Sequence, residues 1–349
     1  MPKQITAGVV GLGKMGLLHA GILNSLNDIK VVAVAEREKI IAKYIRESLP
    51  NVHVYEDSDE MFESEHLDLA FITTPVSSHF NITQSCISHD INFFVEKPLC
   101  KNSDEAKKLC ESLKLHPDLI HSVGFNRRFI DTFSKAKELL DNGILGDISF
   151  VKATMYVSNI FSQGTGWRSN KTISGGGVLL DLGSHVVDLL LWYFGRIDRI
   201  ISSELRSVYS VDLDDFAHVT VRFSSGIECE IDTSWSVQGY RVPELNLEIL
   251  GSNGKMRVNE DSITFELLKP VSFLTECKKT IYKQSLNKGV PIDLGGPEYT
   301  REDIHLVDCI REAKQSPVNV FQAANTQCVI DAIYEAARSI APRGIEYFG

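Results

Sequence analysis

From residue 5 to about residue 124, short apolar runs alternate with longer stretches whose apolar residues recur at helical spacing, the pattern of βα units on a parallel sheet. The pattern predicts strands at 6–10, 30–35, 69–73, 91–95 and 120–123, with helices such as 15–24 and 103–115 between them. Such a doubly wound half-chain places its ligand crevice at the carboxyl ends of the strands.

Beyond Phe129 the rhythm changes. "ISFVKATMYV", "DFAHVTVRFSSGIECEIDTSWSV" and "LNLEILGSNGKMRV" are longer and richer in β-branched residues, and Ser225-Gly226 and Asn253-Gly254 read as hairpin turns. Val219, Val221 and Phe223 fall on one face of a strand, Thr220 and Arg222 on the other, as in an antiparallel sheet with one wetter side. One strongly helical stretch, "GGGVLLDLGSHVVDLLLWYFG", interrupts these strands, and the tail over 319–339 is helical again. The long sheet shows no second helical layer in the sequence. Its open face is therefore expected to be apolar and covered by another subunit.

Composition narrows the class. The 349 residues are 43% hydrophobic, enough for two domains. A net charge of −10 and a pI near 5.5 argue against a general nucleic-acid or anionic-membrane binder. The amino terminus lacks the basic start and cleavage site of a signal peptide, and no apolar run is expected to reach the roughly 18 residues of a membrane span. Seven scattered cysteines with no C-x-x-C pair read as reduced thiols in a cytoplasm.

"GVVGLGKMG" places Gly11, Gly13 and Gly16 as G-x-G-x-x-G between the first strand and the first helix. Gly11 permits the tight turn, Gly13 lets backbone approach a pyrophosphate, and Gly16 allows close helix–sheet packing. Twenty residues past Gly16, Glu36 ends the second strand where an acid holds the adenosine ribose. A carboxylate there favours NAD, but Arg37 beside it can pair with a 2′-phosphate, so NADP stays open.

Two more strand exits border the same crevice. "ITTPVSSHF" supplies Thr73, Thr74, Pro75 and His79, and "FVEKP" supplies Glu96, Lys97 and Pro98. Taken alone, the second is a solvated strand end and His79 a helix-start residue. In the other half, Asp181 and His185 stand i, i+4 with Asp188 one turn further, so a helix projects them from one face while Leu182, Val186, Leu189 and Tyr193 are buried. A carboxylate beside an imidazole can fix its tautomer for proton transfer; the plainer reading is a helix-start aspartate with an incidental histidine. No third ligand for a metal is evident.

Taken in order, "GVVGLGKMG", "ITTPVSSHF", "FVEKP", "VGFNRRF" and "GGGVLLDLGSHVVDLLLWYFG" resemble the glucose-fructose oxidoreductase and inositol dehydrogenase family, Gfo/Idh/MocA. The resemblance is most specific at Glu96-Lys97-Pro98 and at Asp181 with His185, and weak after about Tyr240. It implies an α/β Rossmann dinucleotide-binding domain over 1–125, then an α+β substrate domain over 126–349 with a large, mostly antiparallel open sheet. The carboxyl-terminal helix is expected to pack back on the first domain. It implies NAD(P)-dependent oxidation or reduction of a sugar, cyclitol or related polyol, and a homodimer or homotetramer through the sheet.

Within that resemblance Lys14 and Met15 join the cofactor set, Trp167 and Arg168 close over nicotinamide or substrate, and Asn126, Lys97, Asp181 and His185 line the substrate site. His185 is then the base, Lys97 the donor to the reacting oxygen, and Asp181 the residue that orients His185 or binds a neighbouring hydroxyl. Arg127, Arg128, Arg168 and Lys171 stand as either receivers of an anionic substrate or surface charges. A reductase of a dihydrodiol- or biliverdin-type substrate, or a dinucleotide-sensing regulator without turnover, would lack part of the Lys, Asp and His set, which is complete in this sequence.

Overall fold

A computed structural model describes residues 4–159, 170–209, 212–271, 274–339, 343–345 and 347–348. The chain divides into two compact units, Met1–Asn126 with Gly289–Ala324, and Arg127–Lys288 with Asn325–Tyr347.

The first unit is built on β1 (Ile5–Val10), β2 (Ile29–Ala35), β3 (His53–Tyr55), β4 (Leu69–Ile72), β5 (Asn92–Val95) and β6 (His121–Val123), all parallel, in the order β3-β2-β1-β4-β5-β6. Between them run α1 (Lys14–Ser25), α2 (Lys39–Ser48), α3 (Ser58–Ser64), α4 (Val76–Ser88) and α5 (Ser103–Lys114). Every residue of β4 is buried, as befits a parallel strand covered on both faces. Strand order reverses between β1 and β4, so the loops leaving these two strands frame the crevice. The apolar pattern marked five of the six strands. The sixth, β3, has three residues, none fully buried, and carries no alternation to read.

In the second unit, β7 (Ile148–Tyr156), β8 (Ile197–Arg206), β9 (Phe216–Phe223), β10 (Glu228–Ser234), β11 (Glu244–Gly251), β12 (Gly254–Val258), β13 (Ser262–Leu267), β14 (Lys278–Tyr282) and β15 (Arg343–Gly344) form one sheet. Its order is β14-β13-β12-β11-β7-β10-β9-β8-β15, antiparallel except where β10 meets β7. The helices α6 (Asp131–Asp141), α7 (Lys171–Ser174), α8 (Ser184–Phe194) and α9 (Lys283–Leu286) accompany it, with a π-helical turn at Leu179–Gly183 leading into α8. In the β11–β12 hairpin Gly251 pairs with Gly254, so the two-residue turn is Ser252-Asn253, one residue earlier than the Asn-Gly signal suggests.

One face of this sheet is apolar core, including Val151, Ala153, Val219, Val221, Ile231, Leu247 and Phe265, joined by Val186, Leu189 and Leu190 of α8. The other face corrects an expectation. It is polar: Lys152 stands directly across from Glu230 and Glu248, and Glu248 across from Arg257, with ion pairs at Arg257–Glu248 (3.2 Å) and Lys255–Glu266 (2.9 Å). The described residues of the open face form charge ladders where an apolar patch was expected.

The stretch Lys171–Phe194 is apolar and long enough to cross a membrane, but 78% of its most apolar window is buried inside the protein, where it serves as a core helix. All seven cysteines are free thiols, six of them buried.

The domain boundary also needs correcting. Residues 289–324 were expected in the second domain, yet they belong to the first unit. There α10 (Pro297–Glu312) contributes Leu306, Val307 and Cys309 to the core under β1, β2 and β4. Beyond it the Val123 N–H donates to the Val318 carbonyl (2.8 Å), which covers the edge of β6, and α11 (Val320–Ala336) follows.

His121 anchors this return. Its ring stacks on Phe93, and its Nδ1 accepts the Val320 N–H at 3.2 Å, a role open only to a neutral nitrogen. Burial pushes its pKa down to about 4. With the folded value below the unfolded one near 6.5, His121 contributes stability that is present above that pH and lost as pH falls toward 4. The stability difference between wild type and His121→Gln, from urea unfolding, should therefore shrink from pH 7 to pH 4. A difference independent of pH would show that the ring is not held neutral.

Candidate functional site

Each of the three glycines at 11, 13 and 16 has its own reason. Gly11 sits at φ +85°, and a Cβ there would come within 2.8 Å of Thr74 Cγ2. At Gly16 a Cβ would lie 1.9 Å from the Gly11 carbonyl oxygen, so α1 packs on the turn only because that atom is missing. A Cβ on Gly13 meets nothing within 4 Å. It would project into open space at the amino terminus of α1, which no side chain caps and which carries no acid in its first turn. Lys14 and Met15 open that helix. Unpaired N–H groups and the positive helix end make this a cradle for a phosphate, and the residues fit a dinucleotide.

Glu36 ends β2 beside the cradle. Its Oε2 accepts from the Leu12 N–H at 2.6 Å and its Oε1 from the Glu38 N–H at 2.8 Å, which fixes the carboxylate against the glycine turn. Arg37 points elsewhere, exposed and paired with Asp57 at 3.4 Å. Thr73 donates its hydroxyl to the Gly11 carbonyl at 2.6 Å, tying the β4 exit to the turn. Thr74 and the exposed Pro75 follow it along the crevice.

His79 plays a different part from the one expected. It is buried, with Nδ1 2.8 Å from the Pro98 carbonyl and Nε2 2.7 Å from the Thr74 carbonyl, and burial lowers its pKa. With each nitrogen against a backbone carbonyl, the ring is wedged between the two crevice loops, and a neutral ring donates to only one of those carbonyls at a time.

Glu96 is no solvated strand end. Its Oε2 accepts the Lys97 N–H at 3.0 Å and its Oε1 lies 3.3 Å from Nε2 of His19 on α1. Lys97 is half-buried and joined to Pro98 by a cis peptide bond. The sequence reading missed His19; its signal is that an imidazole three residues past Gly16 lies on the face of α1 that Gly16 presses on the sheet.

In the second unit, Asp181 lies in the π-helical turn and His185 on the first turn of α8. Asp181 is half-buried and His185 is 8% exposed. The one-face geometry expected of a continuous α-helix is therefore modified by the π turn, a feature common at functional sites. Asp188 departs from the expected stripe: it is 1% exposed and accepts two bonds from Arg128, at 2.7 and 2.6 Å. Arg127 pairs with Glu260 at 2.9 Å. Both arginines thus pair with acids of their own unit, Asp188 buried and Glu260 half-buried. Lys171 is exposed at the start of α7. In the first unit, Asn126 is buried, and its Oδ1 has no hydrogen-bond partner among the described residues, leaving an acceptor that a ligand can satisfy. Trp167 and Arg168 lie outside the described residues. Among the described residues no group of three or more His, Cys, Asp or Glu is arranged to hold a metal.

A doubly wound sheet with a phosphate cradle at its switch point, an acid at the end of β2 and a lysine turn at the end of β5 defines a dinucleotide-dependent oxidoreductase. Residues 5–125 match the model of the oxidoreductase family with an NAD-binding Rossmann fold, and residues 133–257 match the Gfo/Idh/MocA C-terminal domain. The chain belongs to the Gfo/Idh/MocA family of oxidoreductases. Among its relatives, myo-inositol 2-dehydrogenase of Thermotoga maritima is 28% identical over 259 residues, 71% of this chain and 73% of that protein. The NAD(+)-dependent scyllo-inositol 2-dehydrogenase of Bacillus subtilis is 26% identical over 264 residues, 73% and 74% of the two chains. A levoglucosan dehydrogenase solved with NADH shares the fold with a TM-score of 0.88 at 20% identity, covering 99% of this chain and 100% of that one.

The glycine geometry gives a direct test. Gly13 has φ −67° and ψ −168°, which alanine adopts without strain. Gly13→Ala should therefore leave the melting temperature nearly unchanged yet weaken NADH binding by roughly tenfold or more, about 1.4 kcal/mol, in a fluorescence titration. Unchanged affinity would mean that no phosphate approaches this backbone.

Proposed function

We propose that this enzyme transfers hydride between NAD and a secondary hydroxyl or carbonyl of a sugar, cyclitol or sugar derivative. The observation that carries the reading is the phosphate cradle after β1 with Lys97 emerging two strands away in the same sheet, at the end of β5. The inositol dehydrogenases among its relatives support the substrate class. When bound, the nicotinamide accepts or gives the hydride.

The chain's own residues do the rest. Gly11, Gly13, Lys14, Met15 and Gly16 hold the phosphates, and Glu36 takes the ribose hydroxyls. A fixed carboxylate at that place repels a 2′-phosphate, which favours NAD over NADP. Lys97 donates to the reacting oxygen and stabilises negative charge that develops there, a preorganised donor in a site of low water content. His185 takes the hydroxyl proton during oxidation and Asp181 orients it or holds a neighbouring hydroxyl. Asn126 offers its free acceptor to the substrate, and the family resemblance assigns Trp167 and Arg168 to the same nicotinamide and substrate site. The seven free thiols fit the reducing cytoplasm as its compartment.

A panel of sugars, cyclitols, sugar phosphates and nucleotide sugars, tested for melting-temperature shift in the presence of NAD, identifies the substrate by mass action. With that substrate, Lys97→Ala should retain NADH binding and lose a factor on the order of 10² or more in kcat. Near-normal turnover in this variant would remove Lys97 from the chemistry.

We also propose a homodimer or homotetramer closed through the large sheet. Its open face carries charge ladders, so the contact is electrostatic and salt-bearing rather than greasy. Light scattering should show an oligomer at micromolar concentration that loosens as salt rises toward 1 M. A monomer at low salt would sink the proposal.

A further inference from the structure

Lys97 can act as a preorganised donor only if something holds it, and the structure shows a buried charged chain behind its turn. His19 is 0% exposed. Its Nδ1 lies 2.8 and 3.0 Å from the two carboxylate oxygens of Asp303 on α10, and its Nε2 lies 3.3 Å from Glu96 Oε1. The other oxygen of Glu96 accepts the Lys97 N–H. A Cβ on Gly124 would sit 2.9 Å from that same oxygen, so the glycine at the end of β6 keeps the space that Glu96 fills. The ring itself rests on Phe71 and Phe94, with centroids 5.4 and 4.8 Å away, and Tyr299 of α10 meets it edge-on at 6.3 Å.

Each nitrogen of His19 thus faces a carboxylate. A neutral imidazole donates through only one nitrogen, whereas an imidazolium satisfies both. We propose that His19 is a positioning residue, an imidazolium clamped between Asp303 and Glu96 that fixes Glu96 and, through its bond to the Lys97 N–H, sets the orientation and charge surroundings of the lysine. The proposal rests on the reading of Lys97 as the donor to substrate.

The balance of charge agrees with it. Burial alone would lower the His19 pKa, but attraction and hydrogen bonding to Asp303, then to Glu96, more than offset this and raise it to about 10. Burial pushes Asp303 up against the pull of the ring, and the two bonds it accepts from Nδ1 decide for the ion pair. Glu302, next to it on α10, is fully buried, and its Oε1 has no partner among the described residues. Burial first, then Glu96 and the other acids Asp303 and Glu298, raise its pKa well above the usual carboxylate range. With Glu302 holding its proton, two carboxylates and one imidazolium leave the cluster with a single negative charge, to which the ammonium of Lys97 is complementary.

The test reads charge directly. In full-length protein labelled with nitrogen-15 at histidine, His19 should carry protons on both nitrogens at pH 8, where an ordinary histidine with pKa near 6.5 is neutral. Asp303→Asn should abolish that signature. His19→Gln should lower kcat about tenfold while substrate KM and NADH affinity hold, because Glu96 and the Lys97 turn lose their tie and the cofactor cradle does not. Glu302→Gln should leave the two-proton signature of His19 in place. A neutral His19 in the wild-type protein, a measurement that needs no variant to fold, overturns the proposal, as does an unchanged kcat in His19→Gln. Failure of the donor reading is separate, for it shows only as normal turnover in Lys97→Ala and leaves the charge state of His19 untouched.

Discussion

Helix α1 lies against β1 because position 16 has no side chain; any Cβ there would stand 1.9 Å from a carbonyl oxygen of the turn. Much of the first unit follows from that contact. It aims the uncapped amino terminus of α1 into the space above Gly13, which creates the phosphate cradle. It also brings the next turn of the same helix onto the sheet, where His19 settles on Phe71 of β4 and Phe94 of β5 and reaches Glu96. One missing carbon atom therefore couples the place where a cofactor is held to the turn that carries Lys97.

That turn is flanked by two buried histidines whose pKa values are shifted in opposite directions, and the difference lies in what each ring faces. His79 faces two backbone carbonyls, whose dipoles do not offset the desolvation of a full charge, so burial lowers its pKa. His19 faces two carboxylates, which do offset it. The same side chain thus meets backbone dipoles on one side of Lys97-Pro98 and carboxylates on the other. The backbone that carries Lys97 is thereby fixed, one part of what electrostatic preorganisation requires.

What could be read from the sequence was whatever is local. The glycine turn, the acid at the end of β2 and the paired strand exits each occupy a few consecutive residues, and periodicity placed the strands around them to within a residue or two. Partners far apart in the chain were not legible. Asp303 lies 284 residues from His19, and nothing in "TREDIHLV" distinguishes a buried acid pair from a solvated helix face. The same blindness left Arg127 and Arg128 undecided, since their partners Glu260 and Asp188 are 133 and 60 residues away. It hid the return of residues 289–324 to the first unit as well. The polar character of the sheet's open face was hidden for another reason: its length was legible, but its charges form pairs across strands, and register decides those pairs.

The second unit shows the same economy around Asp181 and His185. The three glycines at 175–177 look like a flexible linker, yet two of them are places of contact. A Cβ at Gly177 would lie 2.0 Å from the Asp214 carbonyl oxygen, and one at Gly176 would lie 2.6 Å from the Tyr334 hydroxyl. Across that contact the Asp214 carboxylate accepts the N–H groups of Leu179 (2.8 Å) and Gly177 (3.2 Å) and the hydroxyl of Tyr334 (3.0 Å). It supplies the amino-terminal cap of the helical segment that carries both candidate residues. A π turn recurs at functional sites. Here a buried acid and three N–H or O–H donors hold the segment that leads into it, while Val186, Val187 and Leu189 lock the far side of α8 into the core. The polar atoms of Asp181 and His185 are thus set by backbone geometry rather than by their own rotamers alone, and that geometry is specified by glycines whose role is to be small.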